Sequence, residues 1–389
     1  MNRDELRKAL VITKILDGIL TIREAAIQLE LSERQVKRLK AKMQRNGAVS
    51  LIHGNRGRKP KHTLDPKIAK QVVALAQEKY QGANYTHLSE LLQEHEGISI
   101  SPSSVGRILK AASIKSSRKH APTKRHPRRP RKPQEGMLIQ IDASLHRWLG
   151  DRGPKLSLVG GIDDATGKIV GAVFRPQEDS MGYFLLLDQI LHRYGIPEAI
   201  YSDRHTIHFS PTRDKLTVEE ELQGKKVALT QFGRALDELL IQHIAARSPQ
   251  AKGRIERLWG TLQDRLVLHL SLLGACTLEA ANAALPAFIE QYNARFAVAP
   301  ADSLPVYRPV VSLDLEHILC MKETRTLSNG NVFSFEGNLY QVLLPNHHPF
   351  LAPRTKVTVC QSLDGFVTAG IWNNWYPTAL IPPQVRATG

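Results

Sequence analysis

Residues 137–174 read MLIQIDASLHRWLGDRGPKLSLVGGIDDATGKIVGAVF, and this stretch decides the fold. Strand-like apolar runs cover Met137–Asp142, Lys155–Ile162 and Lys168–Phe174, with Asp163-Asp164-Ala-Thr-Gly167 as a turn between the second and third. Two more such runs follow at Ala199–Ser202 and Leu240–Ala245. Helical patterns cover residues 180–194, 230–239, 250–270 and 277–294. Three consecutive strands on short links, then helix and strand in alternation, predict a mixed α/β sheet with helices on its faces.

Upstream of this body the chain is basic. Of the 53 Lys/Arg and 37 Asp/Glu, residues 1–135 hold 29 and 12, so the whole excess of +16 lies in the first third. Such an asymmetry predicts a nucleic-acid-binding arm on a near-neutral body. Within it, Thr21-Ile-Arg-Glu24 and Ser32-Glu-Arg-Gln35 are capping-box patterns that start consecutive helices, with Leu29-Glu-Leu31 allowing only a tight turn between them. Val36, Leu39 and Met43 recur at helical spacing and face inward, leaving Arg34, Gln35, Lys37, Arg38, Lys40 and Lys42 outward. That is the pattern of a helix-turn-helix whose second helix enters the major groove; a structural three-helix bundle with a solvated basic face is the other reading. After the basic, turn-forming Asn55–Lys61, a second helical unit is marked by Asp65-Pro66, Thr86 and Ser101-Pro102 as helix starts. Val105, Ile108 and Leu109 pack inward there, and Arg107 and Lys110 are exposed. From Lys115 to Lys132 the chain has nine Lys/Arg, three prolines and no acid, so it buries no core and is expected to be extended along DNA phosphates.

Beyond residue 312 short strands are predicted at Arg325–Leu327, Val332–Phe335, Leu339–Leu344, Lys356–Cys360 and Val367–Ile371, a small β-barrel or sandwich. The domains expected are therefore 1–54 (helix-turn-helix), 62–114 (a second such unit), 115–134 (basic linker), 135–300 (α/β core) and 320–385 (β-barrel). Cys276, Cys320 and Cys360 are odd in number and form no Cys-x-x-Cys pair, which argues against a disulfide framework or structural zinc. With no apolar core for a signal peptide and no run near the ~20 residues of a membrane span, the expected setting is cytoplasmic, on the nucleoid, without a membrane partner.

Three acids stand where chemistry is expected. Asp142 closes an apolar run, with Gln140 and Leu138 on its face of the strand. Asp203 ends Ala199–Ser202, where open α/β sheets place ligand-binding groups. Glu256 lies in the opening turns of a helix, in SPQAKGRIER (248–257), at the margin of the stripe Ile255, Leu258 or Trp259, Leu262 and Leu266. Two carboxylates ~4 Å apart repel by about 4 kcal/mol at an effective dielectric of 20, and divalent cations reverse that sign. Three such groups can hold a metal pair against a phosphodiester, with Lys252, Arg254 and Arg257 beside them to hold phosphates.

These settings resemble the integrase core of DDE transposases, and among them bacterial insertion-sequence transposases of the integrase-like kind, including the ISNCY-type group. The resemblance spans nearly the whole chain, and the glutamate motif is its most specific part. It implies a ribonuclease-H-like fold and Mg²⁺- or Mn²⁺-dependent cleavage and strand transfer on double-stranded DNA, at transposon terminal inverted repeats and at target DNA. It also implies Asp142, Asp203 and Glu256 as catalytic metal ligands, and at least a dimer on DNA. Candidate DNA contacts are Arg34, Gln35, Lys37, Arg38, Arg107, Lys110, Arg125, Arg128, Arg129, Lys252, Arg254 and Arg257. The chain departs from the integrase pattern in two places. The 52 residues between Asp203 and Glu256 exceed the compact integrase spacing, the excess being the polar Thr206–Lys226 segment, and Asp203-Arg-His205 replaces Asp-x-Gly. A transposase-derived DNA-binding regulator with an idle core, and a nuclease that cuts without joining, are the alternatives.

Overall fold

The computed structural model describes residues 3–52, 55, 64–115, 129–203, 207, 229–246, 253–345, 351–372 and 374–382. Arg125, Arg128, His205, Lys252 and nearly all of the Thr206–Lys226 segment lie outside the described residues. The chain divides into two units, residues 1–70 and 71–389.

In the first unit α1 (Arg3–Leu16), α2 (Ile22–Leu29) and α3 (Glu33–Asn46) close on Val11, Ile12, Ile15, Ala25, Ala26 and Val36. Both capping boxes form. Thr21 Oγ1 accepts from Glu24 N at 3.3 Å while Glu24 Oε2 accepts from Thr21 N at 2.8 Å, and Ser32 and Gln35 repeat the exchange. The tight turn at Leu29–Leu31 is made by Glu30 in the left-handed region, φ 54°. Leu39 and Met43 pack beside Val36 as expected.

In the second unit a five-stranded sheet has the order β3-β2-β1-β4-β5, with β1 (Ile139–His146), β2 (Leu156–Asp163), β3 (Ile169–Arg175), β4 (Ala199–Ser202) and β5 (Gln242–Ala245). The first three strands pair antiparallel, and β4 and β5 join parallel to them. Helices α7 (Ser180–Arg193) and α8 (Gln231–Glu238) pack on one face against Ile139, Ile141 and Ile200. Helices α9 (Gly253–Leu272) and α10 (Leu278–Phe296) cover the other against Leu158, Ile162 and Phe174. This is the ribonuclease-H-like arrangement. Each such core side chain contributes roughly 1.5–3 kcal/mol on burial. The strand β1 runs four residues past Asp142, so that acid sits inside the strand and not at its end. Ala143–His146 lacks clear alternation, but the register from Ala143↔Val159 to His146↔Leu156 keeps it paired to the buried β2.

The second helical unit, α4 (Pro66–Glu78), α5 (Tyr85–Glu96) and α6 (Pro102–Ala111), has Val105 and Leu109 buried, with Arg107 and Lys110 exposed. Helix α5 starts earlier than Thr86 suggests, because Asn84 Oδ1 accepts from both Thr86 N and His87 N. The same helix docks on α9 and α10: Glu90 meets Arg265 at 2.5 Å and Arg295 at 2.9 Å, Glu94 meets Arg295 at 3.1 Å, and Asn84 bonds Asp264. After the short α11 (Leu315–Ile318) comes an antiparallel six-stranded sheet of order β6-β9-β10-β11-β8-β7. Its strands are β6 (Met321–Thr326), β7 (Val332–Phe335), β8 (Asn338–Val342), β9 (Lys356–Gln361), β10 (Val367–Ile371) and β11 (Asn374–Ile381). Phe333 and Phe335 at one end of this order share a core with Val357, Val359 and Ala369, so the sheet coils on itself. The sequence pattern missed β11, which contains Pro377. The proline is tolerated because the strand pairs with β10 up to Pro377 and with β8 from Thr378 onward.

His87, at this docking surface, is 7% exposed, and its ring pKa is lowered to about 4 by burial first and then by Arg265 and Arg295, with His269 a smaller contribution. A folded-state value below the unfolded one means the unfolded chain binds the extra proton. The His87 contribution is therefore complete above about pH 6.5 and lost as pH falls toward 4. Between pH 7 and pH 5 the parent should lose about 2 kcal/mol more unfolding free energy than His87→Gln, measured by urea titration at both pH values. Equal losses in the two proteins would refute the assignment.

Candidate active site

One face of β1 carries Gln140, Asp142 and Ser144, and α9 lies along it. Gln140 Oε1 accepts from Ile255 N at 3.4 Å, Trp259 Nε1 donates to Asp142 Oδ2 at 3.0 Å, and Gln263 Nε2 donates to Ser144 Oγ at 3.4 Å. Two strand residues rise ~6.6 Å and four helix residues ~6 Å, so the two ladders stay in step. Trp259 also fills the space above Gly160, where a Cβ would stand 3.0 Å from its ring.

Asp203 follows β4, whose parallel register with β1 runs Ile139↔Ile200 and Gln140↔Tyr201. Carried two residues further, that register sets Asp203 opposite Asp142 on strands ~4.8 Å apart. Both are half-buried. The neighbouring β5 brings His243 Nε2 to 2.8 Å from Ser202 Oγ.

Glu256 is reached by turning around α9. Arg254 points to the β2–β3 turn, where its Nε lies 2.6 Å from Asp164 Oδ1, and Ile255 and Trp259 sit over β1 and β2. A further 100° step brings Glu256 to the flank of the helix on the β4 side, exposed to solvent. Asp142 and Asp203 thus lie just past one end of the β1–β4 pairing, and Glu256 lies on the solvent-exposed flank of α9. Among the described residues, however, no three His, Cys, Asp or Glu side chains stand close enough to hold a common metal ion.

One neighbour escaped the sequence reading. Tyr183, on α7, is 1% exposed and donates to Glu178 Oε1 at 2.6 Å. Its phenol is held well above the ordinary range by burial first, then by Glu178, and then by the charges of Asp142 and Asp203. It stays protonated as a fixed donor beneath the acids. The only sequence signal for it was its place on the apolar stripe of α7, indistinguishable from core.

The candidate DNA contacts divide. Arg34, Lys37 and Arg38 are exposed on α3, and Arg107 and Lys110 on α6, where Arg107 Nη2 also reaches Ser104 Oγ at 2.9 Å. Gln35 is exposed, but its Oε1 serves the Ser32 cap. Arg129 and Arg254 both direct their guanidinium groups at Asp164. Arg257 is exposed and borders, with Arg131, Arg254 and Thr261, a notch of about 140 Å³.

Residues 7–61 match the model of a helix-turn-helix domain. The chain is 38% identical over 338 residues to the Sinorhizobium fredii protein named transposase y4bF, covering 86% of this chain and 72% of that one. It is 34% identical over 409 residues to the transposase for insertion sequence IS1202 of Streptococcus pneumoniae, covering 96% and 86%. Among solved structures, a simian T-cell lymphotropic virus intasome is similar at a TM-score of 0.34 and 16% identity, covering 79% of this chain and 97% of that one. The HTLV-2 integrase catalytic core domain in complex with magnesium follows at 0.27 and 18%, covering 39% and 83%. On the strength of these two relatives and the arrangement of helix-turn-helix, mixed sheet and terminal β-module, this chain belongs to the insertion-sequence transposases.

Proposed function

We propose that this transposase binds the ends of its element and catalyses DNA strand cleavage and strand transfer, with Asp142, Asp203 and Glu256 as its catalytic carboxylates. What supports the reading is the parallel β1–β4 pairing, which ends two residues short of Asp142 and Asp203, and the bond to Asp142 from Trp259, one turn along α9 from Glu256. An all-carboxylate oxygen donor set fits a hard divalent cation, Mg²⁺ or Mn²⁺. Asp142, Asp203 and Glu256 would hold such ions, which would supply activation of a water and neutralisation of charge on the scissile phosphate.

The chain's own residues supply position. Trp259 Nε1 fixes one carboxylate oxygen of Asp142 by a 3.0 Å hydrogen bond. Tyr183 pairs with Glu178 through its hydroxyl. In the first step water attacks the end phosphodiester, a P–O bond forms as another breaks, and a 3′-hydroxyl is released. In the second, that hydroxyl attacks a phosphodiester of target DNA in the same in-line exchange. Arg34, Lys37 and Arg38, on the recognition helix of the matched helix-turn-helix, would read the terminal repeats. Two ends must be held together, so the working species is at least a dimer on DNA. A regulator with an idle core remains the second reading, motivated by the lack of three acids within reach of one ion among the described residues.

Labelled end duplex with Mg²⁺ decides between them. Glu256→Gln should abolish nicking and joining while binding the end within about twofold of the parent; a mutant that cleaves normally removes Glu256 from the mechanism. Trp259→Phe keeps the packing on Gly160 but deletes the donor to Asp142, and should slow single-turnover cleavage about tenfold, or about 1.4 kcal/mol. An unchanged rate would make that hydrogen bond incidental. Deleting residues 1–63 should remove preference for end sequence over random duplex in a competition binding assay; a retained preference would move sequence reading to the second unit.

A further inference from the structure

We infer that Asp164 is a positioning residue for the reaction: from inside the fold it sets the roll of α9 and hence the seat of Glu256. The inference rests on the three-carboxylate reading above. Asp164 is 0% exposed, so it touches no substrate. Its Oδ1 accepts from Gln140 Nε2 at 2.8 Å, from Arg254 Nε at 2.6 Å and from the Arg129 guanidinium, and its Oδ2 accepts from Lys132 N at 2.9 Å. Gln140, also 0% exposed, passes the connection on through Oε1 to Ile255 N. Arg254 Nη2 closes the ring on Arg129 O at 3.4 Å.

A carboxylate this deep is costly without hydrogen-bond donors, and here Oδ1 accepts three and Oδ2 one. The origin of those donors is the informative part. Gln140 precedes Asp142 by two residues on the same strand face, and Arg254 and Ile255 immediately precede Glu256. One buried acid therefore joins the strand that bears the first carboxylate to the turn of helix that bears the third. Arg254 and Glu256 lie on opposite flanks of the stripe that α9 lays on the sheet, 200° apart around the helix. Anchoring the first fixes the second. A helix side chain ~6 Å from the axis moves about 2 Å for a roll of ~20°, whereas metal–ligand distances tolerate only about 0.2 Å. Misplacement of 1 Å by a residue away from the chemistry can cost about a hundredfold in rate.

The anchor also separates two roles for Arg254. As a phosphate contact, its loss would weaken end binding and reduce the salt slope by roughly 0.9. As the arm of Asp164, its loss leaves binding alone and slows chemistry.

The test uses the full chain labelled with 5-fluorotryptophan, whose four tryptophans give four ¹⁹F resonances, that of Trp259 being assigned by W259F. Asp164→Asn and Arg254→Gln are compared with the parent. Arg254→Gln carries the test if Asp164→Asn fails to fold, because Gln140, Arg129 and Lys132 still serve Asp164. The expected result is a shifted or broadened Trp259 resonance with Trp375 unmoved, single-turnover end cleavage at least tenfold slower, end binding within twofold, and partial recovery in Arg254→Lys. Cleavage within twofold of the parent in Arg254→Gln overturns the inference whatever the resonance does. So does a loss in which Trp375 moves as far as Trp259, which marks general unfolding. Glu256→Gln in the same assay reports on the carboxylate reading separately.

Discussion

The fit of one helix to one polar strand face governs the second unit. A sheet face carrying buried Gln140 and half-buried Asp142 and Ser144 is unfavourable against hydrocarbon, since unpaired polar groups there cost free energy. The chain meets this with a helix that offers a backbone N–H, an indole N–H and a side-chain amide at matching intervals. Apolar residues of the same helix, Leu258, Leu262 and Leu266, bury beside them against Leu158 and Ile162. The polar contacts therefore select the register while the apolar ones supply most of the free energy, a division expected where hydrogen bonds are modest in net terms.

The same division recurs where peripheral modules meet the sheet. Helix α5 is held to α9 and α10 by Glu90 between Arg265 and Arg295, groups only 12–14% exposed apart from the more open Arg295. Partly buried pairs of this kind add little net stability but are costly to break one partner at a time, which makes the docking specific. The terminal β-module is joined to α8 in a comparable way. Gln231 exchanges two hydrogen bonds with the backbone of Lys322, and Arg234 donates to the carbonyls of Ile318 and Cys320. Backbone groups at the start of a module are satisfied by the body it is attached to, so neither segment is complete without the other.

Local features were legible from the chain. The two capping boxes at Thr21 and Ser32 need only residues three apart, and both form. The strands of the central sheet showed as apolar runs, β2 most plainly because it is buried on both faces along its whole length. The C-terminal half of β1 did not, since Ala143–His146 is held by β2 and not by its own alternation. Helix α5 is capped by Asn84 and begins at Tyr85, because Asn84 reaches the amides of both Thr86 and His87. Asp164 read as a turn residue and Arg254 as a phosphate contact. Their partnership links positions 90 residues apart, and no short-range rule relates them.

Composition and periodicity by themselves determined the basic first third, the two helical units, the mixed sheet and the three acids in their strand and helix settings, because each depends on neighbours along the chain. Which of those residues meet was decided only in three dimensions. Parallel pairing of β1 with β4 aligned the strand that leads to Asp203 with the strand that bears Asp142, and contacts with Asp164 and the β1 face fixed the roll of the helix that bears Glu256. Strand register and helix rotation are set by packing against distant elements, where a slip of one residue or one step of 100° would carry the same side chains to another face.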